Sequence, residues 1–132
     1  MKIRLNRDSV HPGDDIYSHE KLIEISESTT LHEFLSNFRD YYPLPGIWGG
    51  QATWILKGNR ILAILAQQWK EPKYFVLRDT PISEFIDQNT KSTGGFNFLY
   101  WVQDDPDSVF DEIFHTGALP VKQGGYRVKP EK

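Results

Sequence analysis

Residues 51–67 read Gln-Ala-Thr-Trp-Ile-Leu-Lys-Gly-Asn-Arg-Ile-Leu-Ala-Ile-Leu-Ala-Gln, and this stretch decides the fold. Two apolar runs, 51–56 and 61–67, flank Lys57-Gly58-Asn59-Arg60, and a Gly-Asn turn between two such runs is typical of a β-hairpin. The second run is apolar at successive positions, so both of its faces need cover. We therefore predict a strand inside the sheet at 61–67.

Upstream of this hairpin, the sequence predicts two strands and a capped helix. Segments 2–6 and 21–26 have the length and apolar content of strands and predict a first hairpin. Thr30-Leu31-His32-Glu33 has the form of a capping box, in which the Thr and Glu side chains each bond to the other's backbone N–H. Apolar residues then follow at helical spacing until Pro43, which predicts a helix over 31–42.

Downstream, the pattern predicts further strands at 73–77, 96–102 and 125–128. A short helix begins at Thr80-Pro81, and a second long helix begins at Asp105-Pro106 and ends before Gly117. Helices inserted among hairpins define an α+β fold. We expect one domain over 1–132, with a mostly antiparallel sheet, two main helices and one short helix.

Composition excludes several classes of protein. The 132 residues include no cysteine, which removes disulfides, thiolate metal sites and thiol chemistry. The net charge of −3 opposes binding of nucleic acid by counterion release. The longest uninterrupted apolar run, 61–66, is far shorter than the roughly 20 residues of a membrane span. No apolar segment follows the basic N-terminus as in a secretory signal, so we expect a cytoplasmic protein.

The first half of the chain, about residues 1 to 67, resembles the β-grasp, or ubiquitin-like, arrangement. The features that carry the resemblance are the strand Met1-Lys2-Ile3-Arg4-Leu5, the strand Lys21-Leu22-Ile23-Glu24-Ile25, the capped helix that follows Ser28, and the later hairpin. Members that carry sulfur or join to other proteins end in Gly-Gly. Here Gly124-Gly125 is followed by seven residues, and we interpret the pair as a turn before the last strand.

Motifs for catalysis are absent from the sequence. No Gly-x-Ser-x-Gly and no phosphate-binding glycine pattern occurs. One cluster has side chains that suit a metal, but its residues lie in a turn, where Asp and Pro-Gly are favoured for backbone reasons; it comprises His11, Asp14, Asp15, His19 and Glu20. We predict no catalytic residue, no metal and no cofactor.

An acidic segment is the strongest functional signal. Within nine residues that contain no Lys or Arg stand Asp104, Asp105, Asp107, Asp111 and Glu112. Capping and the helix dipole explain Asp105 and Asp107. Asp111 and Glu112 are expected to face solvent, away from the apolar stripe of their helix. The segment therefore predicts a negative surface that attracts a basic partner.

Aromatic residues in or beside turns are candidate anchors for such a partner. They are Trp48, Trp69, Tyr41 and Tyr42. The alternative for these four residues is that they close the edges of the core. Trp54 and Trp101 lie within predicted strands, and we expect both in the core.

Three functions remain open on the sequence. The acidic segment and the lack of a catalytic set resemble the immunity proteins of bacterial toxin systems, including contact-dependent inhibition. That resemblance implies a protein-binding inhibitor that occludes a basic toxin domain, typically a nuclease. The alternatives are a small enzyme or ligand-binding domain that uses carboxylates and His115, and a scaffold or adaptor. The sequence leaves the oligomeric state open.

Overall fold

Six strands and two α-helices make up the computed structural model, which describes residues 1–10, 18–45, 50–88 and 94–122. The strands are β1 (Lys2–Arg7), β2 (Lys21–Glu24), β3 (Thr53–Lys57), β4 (Ile61–Ala66), β5 (Lys73–Tyr74) and β6 (Gly95–Tyr100). The helices are α1 (Leu31–Asn37) and α2 (Pro106–Thr116), and two 3-10 turns cover Phe38–Asp40 and Ile82–Glu84. The predicted strand at 125–128 and Gly124-Gly125 lie outside the described residues.

The strands form one mixed sheet in the order β2-β1-β6-β3-β4-β5. β1 and β6 run parallel, whereas the other four neighbouring pairs are antiparallel. The predicted α+β class and mostly antiparallel sheet are therefore confirmed. β6 lies between the two hairpins of the first half, with Phe96 beside Leu5 and Phe98 beside Leu56. The sheet thus needs a strand from the second half of the chain to join its two hairpins.

The hairpin of β3 and β4 is present as predicted. Ile55 lies opposite Ile64 in antiparallel register, and a bulge follows Leu56. β4 lies between β3 and β5 and is buried on both faces, which is the environment that its continuous apolar run requires. The turn needs glycine at Gly58, because a Cβ there would stand 2.0 Å from the backbone oxygen of Phe85.

The capping box at the start of α1 is confirmed. The Glu33 N–H donates to Thr30 Oγ1 at 3.1 Å, and the Thr30 N–H donates to Glu33 Oε1 at 2.9 Å. Hydrogen bonds to the Glu33 carboxylate, from the Thr30 backbone first and from the Thr30 side chain second, hold the pKa of Glu33 below its ordinary value. The predicted extent of 31–42 is too long, because the α-helix ends at Asn37 and tightens into the 3-10 turn. The Asn37 side chain donates to the Glu33 carbonyl and competes with the regular backbone bond.

Other predicted boundaries change for local reasons. The strand predicted at 96–102 ends at Tyr100, since Val102 has a φ of 48°, which a β-branched residue rarely adopts and a strand cannot include. The strand predicted at 73–77 keeps two residues, and that predicted at 21–26 ends at Glu24. The short helix after Pro81 is a single 3-10 turn.

The two helices pack on opposite faces of the sheet. A large core on the α1 side includes Ile3, Leu5, Phe34, Phe38, Trp54, Leu56, Phe96 and Phe98. A smaller core on the α2 side contains Ile55, Ile64, Trp101, Val109 and Ile113. The expectation that Trp54 and Trp101 are core residues is confirmed. Among the described residues, no helix has the length and apolar character to span a bilayer.

Candidate binding surface on helix α2

Both ends of α2 are fixed by the residues that the sequence singled out. Asp105 is the N-cap, and its Oδ2 accepts the Ser108 N–H at 3.2 Å and the Ser108 hydroxyl at 2.8 Å. Pro106 occupies the first turn, where its missing N–H costs nothing. Gly117 ends the helix with a φ of 72° and donates its N–H to the Ile113 carbonyl at 2.7 Å. Both ends of the helix are therefore stabilised by local caps.

The outward side of α2 is acidic, as expected. Asp105, Asp111 and Glu112 are exposed, and we call these three residues the acidic side of α2. Within the described ranges, the carboxylates of Asp111 and Glu112 form no ion pair and accept no hydrogen bond. Their charge is thus available to a partner in solution.

A groove of about 380 Å³ runs beside the acidic side of α2. Asp105, Ser108 and Glu112 line one wall, and Pro120 and Val121 line the other. Val121 is 71% exposed, so the wall after the helix presents apolar surface next to the carboxylates. This combination of charge and apolar area suits contact with a protein.

Asp104 lines the same groove but, unlike the other acids, is buried. It is only 6% exposed, its carbonyl accepts the Thr53 hydroxyl at 2.7 Å, and its N–H donates to the Trp101 carbonyl at 3.2 Å. These bonds tie the turn before α2 to β3. Asp104 therefore shapes the turn and contributes little area to the surface that the sequence assigned to it.

Asp107 is already paired. Its carboxylate binds the ammonium of Lys73, which also lies 4.8 Å from the ring centre of Trp69 and 5.7 Å from that of Phe110. Trp69 is half-buried and packs against the smaller core. The pair joins β5 to α2 and balances the charge of Asp107, so this acid offers less to a partner than Asp111 does.

The two tyrosines lie on the opposite face of the sheet from α2. Tyr42 is 7% exposed, stacks on Phe98, and donates its hydroxyl to the His19 carbonyl at 2.6 Å. Burial raises the pKa of Tyr42 to about 12. Tyr41 is half-buried, burial raises its pKa as well, and its carbonyl accepts the Lys21 ammonium at 2.7 Å. Both residues close the edge of the large core. This is the alternative interpretation of the sequence, in which the tyrosines are not anchors for a partner. Trp48 lies outside the described residues.

Asp111 and His115 stand four residues apart on α2, a spacing at which a carboxylate could contact an imidazole, but their side chains do not form that pair. His115 Nδ1 lies 2.7 Å from the Asp111 carbonyl oxygen, and because that oxygen can only accept, Nδ1 donates. The ring is thus bound to the helix backbone, with the Phe114 ring edge-on at 5.5 Å. Within the described part of the chain, no carboxylate contacts the His115 ring to activate it as a base.

Phe114 is the surface residue that the sequence analysis missed. It belongs to the apolar stripe of α2, yet it is 69% exposed. Phe75 stacks on Phe110 with ring centres 4.5 Å apart, and Phe110 stacks on Phe114 at 6.1 Å. We call Phe75, Phe110 and Phe114 the aromatic ladder. The apolar residues of α2 cover a wider arc of the helix than the sheet can bury. That width is the only feature of the sequence that indicates an exposed ring.

The candidate metal cluster is only partly described. His11, Asp14 and Asp15 lie outside the described residues. His19 Nε2 lies 3.1 Å from the Ser9 hydroxyl, and Glu20 pairs with Arg4 at 3.5 Å. Across the ranges that the structure describes, no group of three His, Asp or Glu side chains is arranged to hold a metal ion.

Comparison of the chain with protein-family models, with curated proteins and with solved structures finds no match in any of the three.

Proposed function

We propose that this protein is a binding module that docks a basic protein partner on the acidic side of α2. The observation that carries the proposal is the exposure of Asp111 and Glu112, whose carboxylates have no cation beside them in the described ranges. Unpaired carboxylates on a rigid helix steer a basic partner during encounter and fix its orientation. Their helix is capped at both ends, so little ordering is needed on binding.

The groove beside α2 supports the same proposal. Charge alone speeds association and orients the partner, whereas affinity comes mostly from desolvated area at the centre of a contact. Val121, which is exposed and lines the same groove as Glu112, supplies apolar area beside that carboxylate. A Lys or Arg side chain of the partner would lie with its alkyl stem against Val121 and its charge at Glu112.

The finer proposal is that the protein is a cytoplasmic immunity protein. It would neutralise a toxin domain, typically a nuclease, by covering the basic site at which the toxin binds its substrate. The support is its resemblance in character to such proteins, namely small size, net negative charge and no catalytic motif. The mechanism is occlusion, because carboxylates on α2 occupy the positions that phosphates of the substrate would take.

The proposal is tested by capture of a partner and by charge reversal. Tagged protein recovers partners from its native cells at low and at high salt, and the captured protein is then purified. Asp111→Lys with Glu112→Lys should slow its association at low salt by about tenfold or more and flatten the salt dependence. Glu27→Lys with Glu71→Lys makes the same change of charge at exposed acids elsewhere and should leave the rate nearly unchanged. Equal rates for the two double variants would exclude α2 as the contact.

The immunity proposal has its own test. Expression of the captured partner alone should arrest growth, and co-expression of this protein should restore it. The Asp111→Lys/Glu112→Lys variant should protect poorly at matched expression. A partner that is harmless when expressed alone would reject the immunity role while leaving the binding proposal in place.

A further inference from the structure

A second surface lies at the other flank of α2, where two grooves adjoin. Grooves of about 320 Å³ and 490 Å³ share Arg60 and Phe75 as lining residues. The first also contacts Ile61, Ile113 and Phe114, and the second contacts Tyr74, Val76, Leu77, Thr80, Glu84 and Phe85. Leu77 is 81% exposed at one side and Phe114 is exposed at the other. The two grooves together present apolar side chains around the Arg60 guanidinium, with the polar Thr80 and the carboxylate of Glu84 at one side.

Arg60 has no partner of its own in the part of the chain that the structure describes. Its guanidinium is exposed, and it makes no hydrogen bond, ion pair or ring contact there. Lys73, the next base along this edge, is already bound to Asp107. Arg60 is therefore the cation of this surface whose charge is not balanced by an ion pair within the described ranges.

The backbone that carries Arg60 is fixed. Its carbonyl accepts the Gly58 N–H at 3.0 Å, and Asn59 donates its N–H to the Phe85 carbonyl at 2.8 Å and its side-chain amide to the Glu84 carbonyl at 2.9 Å. Since Gly58 also lies in van der Waals contact with that turn, the hairpin cannot shift without breaking these bonds. Arg60 is thus presented on a rigid turn, which lowers the entropy cost of binding.

We propose that this surface binds a protein segment that presents one carboxylate between apolar side chains. The carboxylate pairs with the Arg60 guanidinium, whose fork of donors matches two carboxylate oxygens. The flanking side chains of the segment lie on Phe75 and Phe114 in one groove, and on Val76 and Leu77 in the other. This surface is separate from the acidic side of α2 and selects the opposite charge.

The open shape of the grooves favours a protein segment over a small molecule. Sites for small ligands bury most of the ligand surface in a concave pocket. Here the two side chains at the borders, Leu77 and Phe114, are largely exposed, so a ligand between them stays in contact with water on one side. An open surface of this kind, with exposed apolar side chains beside an unpaired guanidinium, suits recognition of a peptide.

The test uses selection from a displayed library of short random peptides on the immobilised full chain. We expect enrichment of peptides with Asp or Glu flanked by Leu, Phe or Ile. An enriched peptide, synthesised with a fluorophore, should bind Arg60→Glu about tenfold or more weakly by anisotropy. Lys70→Glu makes the same change of charge at an exposed position beyond the other end of β4 and should bind normally. Phe114→Ser should also weaken binding, with an unchanged unfolding transition because the ring is exposed.

Each other outcome overturns the inference. Enrichment of peptides without acidic residues, or equal affinity for wild type and Arg60→Glu, shows that Arg60 recognises nothing. No enrichment over a parallel selection on Arg60→Glu protein leads to the same conclusion. Basic peptides that lose affinity with Asp111→Lys/Glu112→Lys would instead support the acidic side of α2, so failure here is distinguishable from failure of the proposed function.

Discussion

The two faces of the sheet use aromatic residues in opposite ways. On the α1 face, Phe34 and Phe38 have ring centres 5.7 Å apart, Phe38 and Phe98 are 5.0 Å apart, and all three rings are fully buried. On the α2 face, the aromatic ladder has similar ring stacking but ends in the exposed Phe114. The same side-chain chemistry therefore stabilises one face and leaves surface for binding on the other.

The position of each helix across the sheet explains the contrast. The core under α1 draws on β1, β3, β4 and β6, so every apolar residue of that helix finds a neighbour. α2 lies against β4, next to the two-residue strand β5 that forms the edge. Phe114, in the last turn of α2, is left over this edge. Burial thus depends on how much sheet lies beneath each turn of helix.

The largest expected effect is the contrast between Phe38→Ala and Phe114→Ala. Removal of the buried Phe38 ring should lower the free energy of unfolding by about 3–5 kcal/mol, through lost transfer energy and a cavity. Removal of the exposed Phe114 ring should change it by about 0.5 kcal/mol or less. Urea unfolding followed by circular dichroism measures both. A similar loss for the two variants would mean that α2 packs more tightly than its exposure indicates.

Tyr42→Phe should cost about 1–2 kcal/mol at neutral pH, because the His19 carbonyl loses its donor inside the core edge. The substitution should also change how the free energy of unfolding depends on pH in the alkaline range. The folded state keeps the Tyr42 proton up to a pKa of about 12, whereas the unfolded state releases it near 10. Stability is therefore full below about pH 10 and falls as the pH rises toward 12.

The control for that alkaline prediction lies in the other tyrosines. Burial raises the pKa of Tyr41, Tyr74 and Tyr100 as well, so the Tyr42→Phe variant should keep part of the alkaline loss. Unfolding free energies measured across the pH range would give a shallower slope for the variant than for wild type. Identical slopes would mean that Tyr42 titrates alike in both states.

Thr30→Ala should lower the free energy of unfolding by about 1 kcal/mol, since the Glu33 N–H loses its acceptor at the start of α1. Thr30→Ser keeps the hydroxyl and should retain most of the stability. Thermal unfolding of both variants measures the two losses of stability. If serine were as damaging as alanine, the methyl group rather than the hydroxyl would be what matters at this position.

The smallest expected effect concerns Lys73 and Asp107 on the α2 face. Both side chains are about half exposed, so a double-mutant cycle with Lys73→Met and Asp107→Asn should give a coupling of about 0.5 kcal/mol or less. The coupling should shrink further at high salt. A coupling several times larger would place this pair among the main supports of α2.

Local signals in the sequence anticipated much of the fold. The capping box at Thr30 and the N-cap at Asp105 depend on bonds between residues close in the chain, and both are present. The turn at Gly58 is present as well, although its glycine is required by the distant Phe85 carbonyl. The exposure of Asp111 and Glu112 followed from the same helical spacing. Boundaries were less accurate, because Asn37 and Val102 adopt local geometries that the apolar pattern does not encode.

The sequence by itself determined the elements, the α+β class and the presence of an acidic helix, because these depend on spacing and on neighbours within a few residues. Only the tertiary structure decided that β6 joins the two hairpins, that Tyr42 closes the core and that Phe114 extends into solvent. It also placed Arg60 between two grooves formed by β4, the 74–85 segment and the end of α2. These features join residues far apart in the chain, and no local pattern specifies which faces will meet.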